Sequence, residues 1–224
     1  SKGDLIAFLD DDDEWFSYKL EKQVHLFSNQ KIGLVYSGIN LFFEKYNFSY
    51  DTNPQLSGYI YKEMLIKNHI GATPSVIVRR DAIFSIDNKN NKFFDSSFPA
   101  REEYDLWIRI CKKWDVAYVD IPLLKQFQRY SINRISTNVN SYIKAIELLN
   151  IKYESEVIKL LSKKEIQTRF FQQKFFLGSQ CIKINNSLLA RKYYLEAFKI
   201  NKSFKIALIY LASFFGSKFI IKLR

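Results

Sequence analysis

An α/β domain followed by an all-α region is the fold class this sequence predicts. Three observations predict it. Over the first 135 residues, short apolar runs alternate with segments of helical period. From about Ser141 onward the apolar pattern is helical only. The charge changes in the same place: residues 1–135 hold 18 Lys/Arg and 18 Asp/Glu, whereas residues 136–224 hold 16 and 5, so the whole net charge of +11 lies in the second part. These shifts coincide near 131–140 and set a boundary between 1–135 and 136–224.

LIAFL (5–9) is a continuous apolar run, the pattern of a central parallel strand buried on both faces. Ser17 to Asn29 reads as a helix with Leu20, Val24 and Phe27 on one face, spaced by four and three. GLVYSGINLFF (33–43) reads as a strand that extends into a hairpin near Tyr50. Residues 51–60 are turn-rich, Tyr61 to Asn68 form a short helix, and SVIV (75–78) is a strand. A polar loop spans 86–99. Glu103 to Trp114 is an amphipathic helix with Leu106, Trp107, Ile110, Cys111 and Trp114 recurring along it, and VAYV (116–119) is a further strand. Helices are then expected over 139–161, 164–184, 187–199 and 203–215.

Several chemistries lack the residues they need. Two distant cysteines, Cys111 and Cys181, make no disulfide framework and fit a reducing, cytoplasmic compartment. His25 and His69 are the only histidines and are too isolated for a histidine metal site. No G-x-S-x-G, P-loop or G-x-G-x-x-G is present. No uncharged apolar window reaches membrane-spanning length. The first residue is Ser1, which leads straight into a strand-like run, so the sequence reads as N-terminally truncated.

The segment FLDDDDEW (8–15) carries the chemistry. Four aspartates and Glu14 follow the apolar run, where the C-terminal edge of an open α/β sheet binds ligands. One or two acids would cap the next helix. Five exceed that need, and adjacent like charges repel by about 1 kcal/mol at 4 Å even in water. Carboxylates suit Mg²⁺ or Mn²⁺, whereas the glycine and closing glutamate of an EF-hand loop are missing. From the residues alone, solvated capping and metal–phosphate binding both stand open.

Four segments, in order, resemble the family 2 glycosyltransferases. LIAFLDDDDEW with KLEKQ is similar to the family's strand, LDxDD, Trp and KLE-Q helix. GATPSVIVRRDAI (71–83) resembles the strand beside the acceptor site. FFDSSFPAREEYDLWIRI (93–110) resembles the segment ending in ED-x-D-L-W-x-R, and LLKQFQRYSINRIS (123–136) the closing strand. The resemblance covers about residues 1–135. It implies a partial GT-A (Rossmann-like) mixed sheet lacking its first strands. It also implies inverting, metal-assisted transfer from a nucleotide-diphosphate sugar to a glycan or lipid-linked acceptor, in bacterial surface polysaccharide synthesis. By resemblance, Asp10, Asp11 and Asp12 bind the nucleotide sugar, Asp12 holds Mn²⁺ or Mg²⁺, and Glu103 is the base. Glu102, Trp107 and Arg129 are the corresponding acceptor or substrate positions. Two departures stand out. Glu103 replaces the family's usual Asp, and Tyr130 and Ser131 stand where a His commonly follows Arg129.

The basic extension invites a second kind of reading. Residues 177–201 resemble one tetratricopeptide-type hairpin, with Leu177, Gly178, Ala190, Tyr194 and Ala197 at the repeat's spacing. The end, FKIALIYLASFFGSKFIIKLR, is apolar with interspersed Lys and Arg, and fits either an interfacial helix on a membrane or a core-packed helix with solvated lysines. Nucleic acid is not expected, because no recognition motif accompanies the charge. The alternative to an enzyme is a non-catalytic scaffold that binds a partner or membrane through this tail.

Overall fold

The computed structural model describes residues 2–53, 55–86, 93–129 and 138–222. Expectations for Tyr130, Ser131, the far end of 123–136 and part of the 86–99 loop lie outside them. Backbone contacts divide the chain into two compact units: Ser1–Met64, Asn68–Ser96 and Glu102–Gln128 form the first, and Leu65–Lys67, Ser97–Arg101 and Arg129–Arg224 the second. Together they give the expected mixed sheet followed by helices.

The first unit is built on a sheet of order β1-β5-β3-β6-β2, with β4 also paired to β3. Its strands are β1 (Leu5–Ala7), β2 (Asp13–Trp15), β3 (Ile32–Phe43), β4 (Phe48–Thr52), β5 (Ile77–Arg79) and β6 (Asp115–Gln128). β3 is the spine: Leu34, Val35 and Tyr36 are fully buried. It pairs parallel with β6 along its length and antiparallel with β5 and then β4, the hairpin expected near Tyr50. The β3–β6 register slips between Ser37 and Ile39, opposite Pro122. Proline has no N–H to donate to the ladder, so the slip falls where the bond is missing anyway. Gly38 sits at this pinch, where a Cβ would lie 2.5 Å from the Thr52 carbonyl oxygen.

Two strand expectations are corrected. LIAFL does not pair parallel with a neighbour in this chain: β1 pairs antiparallel with β5, at one end of the order of the described strands. An apolar run reports that a segment can be covered, not the direction of its neighbour. β2, unforeseen, pairs antiparallel with β6 at the other end of that order. The short segment 8–12 therefore carries the chain from one end of the sheet to the other.

Helices α1 (Lys19–Val24), α2 (Tyr61–Ile66), α3 (Arg80–Ile86) and α4 (Glu102–Cys111) complete this unit, apart from the last turn of α2. The expected apolar face is only part buried: Phe27, just beyond α1, is buried, but Leu20 and Val24 are 47% and 44% exposed, and within α1 the buried residues are Lys19 and Gln23. Gln23 Nε2 donates to the carbonyls of Val35 (3.2 Å) and Ser75 (3.0 Å), and Lys19 Nζ donates to Gln23 Oε1. A buried polar pair with its bonds made is tolerated, which is why hydropathy picked the wrong face. Helix α3 was also unforeseen. Arg79, just before it, is spent on structure, with Nε donating to Ile32 O at 3.0 Å and an Nη to Phe27 O at 2.7 Å. In α4, Leu106, Trp107, Ile110 and Cys111 are all fully buried, as their spacing required.

The second unit holds α5 (Val139–Lys152), α6 (Glu154–Leu160), α7 (Lys163–Lys183), α8 (Ser187–Ile200), α9 (Phe204–Ala212) and α10 (Ser217–Lys222). The helix expected over 139–161 is interrupted at Tyr153, whose backbone leaves the helical region. A capping box opens α7: Glu165 N–H donates to Ser162 Oγ and Ser162 N–H to Glu165 Oε2. α7 and α8 form a hairpin closed by small residues, since a Cβ on Gly178 would lie 2.7 Å from the Tyr194 ring. Buried Arg169 donates to the carbonyl of Leu65 and to Asn150 Oδ1 (2.9 Å), tying Leu65 to α5 and α7. Cys111 and Cys181 are buried free thiols; burial raises both pKa values, that of Cys181 to about 12. Among the described residues no helix is long and apolar enough to cross a membrane.

Candidate functional site

The segment between β1 and β2 gathers carboxylates. Asp10, Asp12 and Asp13 each offer an oxygen, and these oxygens lie within 4.8 Å of one another. Asp11 is exposed and does not join the trio. Asp13, which sequence reasoning did not single out, is aimed by β2: its carboxylate accepts from Phe127 N–H at 3.2 Å and from Gln126 Nε2 at 3.4 Å. The signal that would have found it is the Asp13–Gln126 strand pairing, which is not local in sequence.

The electrostatics are those of a site short of positive charge. Burial, then Asp12, Asp11 and Glu102, raise the pKa of Asp10. Burial raises that of Asp13 to about 6, with Asp12 and Asp10 adding and the Phe127 and Gln126 bonds opposing. Three close oxygens on hard carboxylates form a donor set that fits Mg²⁺ or Mn²⁺ and suits neither a soft nor a histidine-preferring metal.

Glu102 and Glu103 form the first turn of α4, both half-buried, where the helix dipole favours acids. Arg101, just before them, has φ 63°, a left-handed conformation that costs a non-glycine residue on the order of 1 kcal/mol and turns the chain into the helix. Glu102 is close enough to Asp10 to act on its pKa, so helix start and aspartate cluster share one field. Within α4, Asp105 is fully buried and pairs with Arg109 Nε at 2.9 Å.

The remaining sequence candidates stand elsewhere. Trp107 is fully buried, edge-on to Phe8 with ring centroids 6.1 Å apart, so it is a core residue here rather than an open platform. Its indole N–H has no hydrogen-bond partner among the described residues. Arg129 is exposed immediately after β6. Trp15, next to the cluster, is fixed by an indole bond to Pro74 O at 3.0 Å and by the Lys19 ammonium 5.0 Å from its ring centroid.

Comparison with known proteins gives a consistent picture. Residues 1–85 match the model of the family described as Glycosyl transferase family 2. The chain is 25% identical over 228 residues to a Haemophilus influenzae protein named "Uncharacterized glycosyltransferase", across 100% of this chain and 74% of that protein. It is 29% identical over 143 residues to the Escherichia coli UDP-Glc:alpha-D-GlcNAc-diphosphoundecaprenol beta-1,3-glucosyltransferase WfaP, and 26% identical over 138 residues to the like-named WfgD of the same species. Each of these two alignments takes in 62% of this chain and 50% of the relative, so the chain spans about half the length of both.

Proposed function

We propose that this chain, a family 2 glycosyltransferase, moves a hexose from a nucleotide-diphosphate sugar to a lipid-linked acceptor with inversion, in bacterial surface polysaccharide synthesis. The observation that supports the reading is the convergence of Asp10, Asp12 and Asp13, with Glu102 of α4 close enough to act on Asp10. UDP-glucose and a diphosphoundecaprenol-linked saccharide, named for WfaP and WfgD, are the first donor and acceptor to try.

In this mechanism Asp12, with Asp10 and Asp13 beside it, holds a divalent cation, and Asp10 and Asp11 contact the nucleotide sugar. The cation supplies Lewis-acid neutralisation of charge on the departing diphosphate. Glu103 takes the proton of the acceptor hydroxyl as its oxygen bonds to the anomeric carbon and the bond to the diphosphate breaks. Attack from the face opposite the leaving group inverts the centre. Glu102 sustains the field around Asp10, and Arg129 and Trp107 bear on acceptor binding, Trp107 from within the core. The reaction is placed on the cytoplasmic face of the membrane, where nucleotide sugars and lipid-linked acceptors meet.

The test is calorimetric titration of the full-length protein with UDP-glucose, with Mn²⁺ or with chelator, alongside transfer assays. Cation-dependent binding that disappears in Asp12→Ala is expected. Undiminished transfer by that variant would sink the metal assignment. No donor binding under any condition would favour a non-catalytic scaffold.

A further inference from the structure

The C-terminal helices are apolar on two faces, and only one is covered. Ile206, Ile209 and Ala212 of α9 are buried within the second unit, as are Ile220 and Ile221 of α10. A second stripe faces water: Phe204 (78% exposed), Leu208 (47%), Leu211 (55%) and Phe215 (75%) recur at spacings of four, three and four, and Phe219 (48%) packs on Phe215 at 5.4 Å between ring centroids. A helix that merely packs on a core needs the first face and gains nothing from the second. Around the stripe the charge has one sign. Residues 197–224 contain six Lys/Arg and no Asp/Glu, and Lys199, Lys202, Lys205 and Lys218 are exposed.

We propose that this stripe docks on an anionic phospholipid surface, with the Phe and Leu side chains entering the headgroup–acyl boundary and the lysines meeting lipid phosphates. Charge selects this occupant over a second copy of the chain. A symmetric contact through this face would set lysine against lysine, whereas anionic headgroups turn the same charge into attraction. The helices are too short and too interrupted to span a bilayer, so the contact lies in the interface plane. The inference extends the membrane-borne acceptor proposed above. Its test reads lipid binding alone, so either reading can fail while the other stands.

The experiment is co-sedimentation of the full chain with vesicles of phosphatidylglycerol and phosphatidylcholine, against pure phosphatidylcholine, at low and high salt. Binding should need the anionic lipid and weaken with salt. Phe204→Ser/Leu211→Ser/Phe215→Ser should weaken it at least about tenfold while circular dichroism and Tm stay unchanged, because all three positions are exposed. Lys202→Gln/Lys205→Gln/Lys218→Gln, which leaves the apolar stripe intact, should weaken it about a hundredfold, at roughly fivefold per basic residue near the surface. Absence of wild-type binding, or binding by both variants equal to that of the wild type, overturns the proposal. So does a self-associating wild type that the serine variant renders monomeric without any vesicle binding.

Discussion

The two parts of the sequence, residues 1–135 and 136–224, use charge in opposite ways. Residues 1–135 are neutral in sum, yet three of their carboxylates offer oxygens within 4.8 Å of one another, and burial together with neighbouring acids raises the pKa of Asp10 and of Asp13. Residues 136–224 carry +11 in sum, spread over helical surfaces with ordinary spacing. Clustered charge at short range is costly and selects a compact counter-ion, whereas dispersed charge costs little and selects an extended surface. Net charge alone would have ranked the two parts the wrong way round as places for specific chemistry.

The largest expected effect would break the first half of that comparison. Glu103→Gln should lower kcat by roughly 10²–10⁴ with donor binding retained, as loss of a general base does. Steady-state kinetics with Glu102→Gln alongside would show whether the base is the first or the second acid of α4. A variant at 103 with normal kcat would move the role.

The next effect separates the two faces of α9. Ile209→Ala removes buried methyl groups and should cost about 2–4 kcal/mol in urea unfolding. Phe204→Ala, on the exposed stripe of the same helix, should change stability by no more than about 0.5 kcal/mol. Equal costs would mean that the stripe is covered in the free protein. Gly178→Ala probes the α7–α8 hairpin: the added methyl meets the Tyr194 ring and should cost about 1–3 kcal/mol by overpacking, read as a lower Tm.

A pH slope offers a further comparison. Burial pulls Lys19 down from 10.5 to about 7. Between those values the unfolded chain holds a proton that the folded chain has released, so stability rises as pH goes from about 7 to about 10. Below about 7 both states are protonated and the folded state carries the whole cost of a buried ammonium. Lys19→Met should flatten the difference in unfolding free energy between about pH 6.5 and pH 9.5. A variant whose slope matches the wild type would show that the ammonium is more hydrated than its burial implies.

The sequence by itself determined where acid is concentrated, that most of the later segments are helices, and that positive charge accumulates in the last 89 residues, 136–224. These follow from local pattern: helical period and plain counts. The tertiary structure alone decided four other matters. It paired β1 antiparallel with β5, brought Asp13 into the carboxylate trio, buried Lys19 and Gln23 instead of Leu20 and Val24, and left Phe204, Leu211 and Phe215 uncovered. Each depends on a partner distant along the chain: β5 for β1, Gln126 and Phe127 for Asp13, the carbonyls of Val35 and Ser75 for Gln23. Hydropathy records what a side chain prefers on average. Only the folded backbone offers the particular carbonyl or strand edge that makes a buried lysine tolerable and leaves a phenylalanine in water.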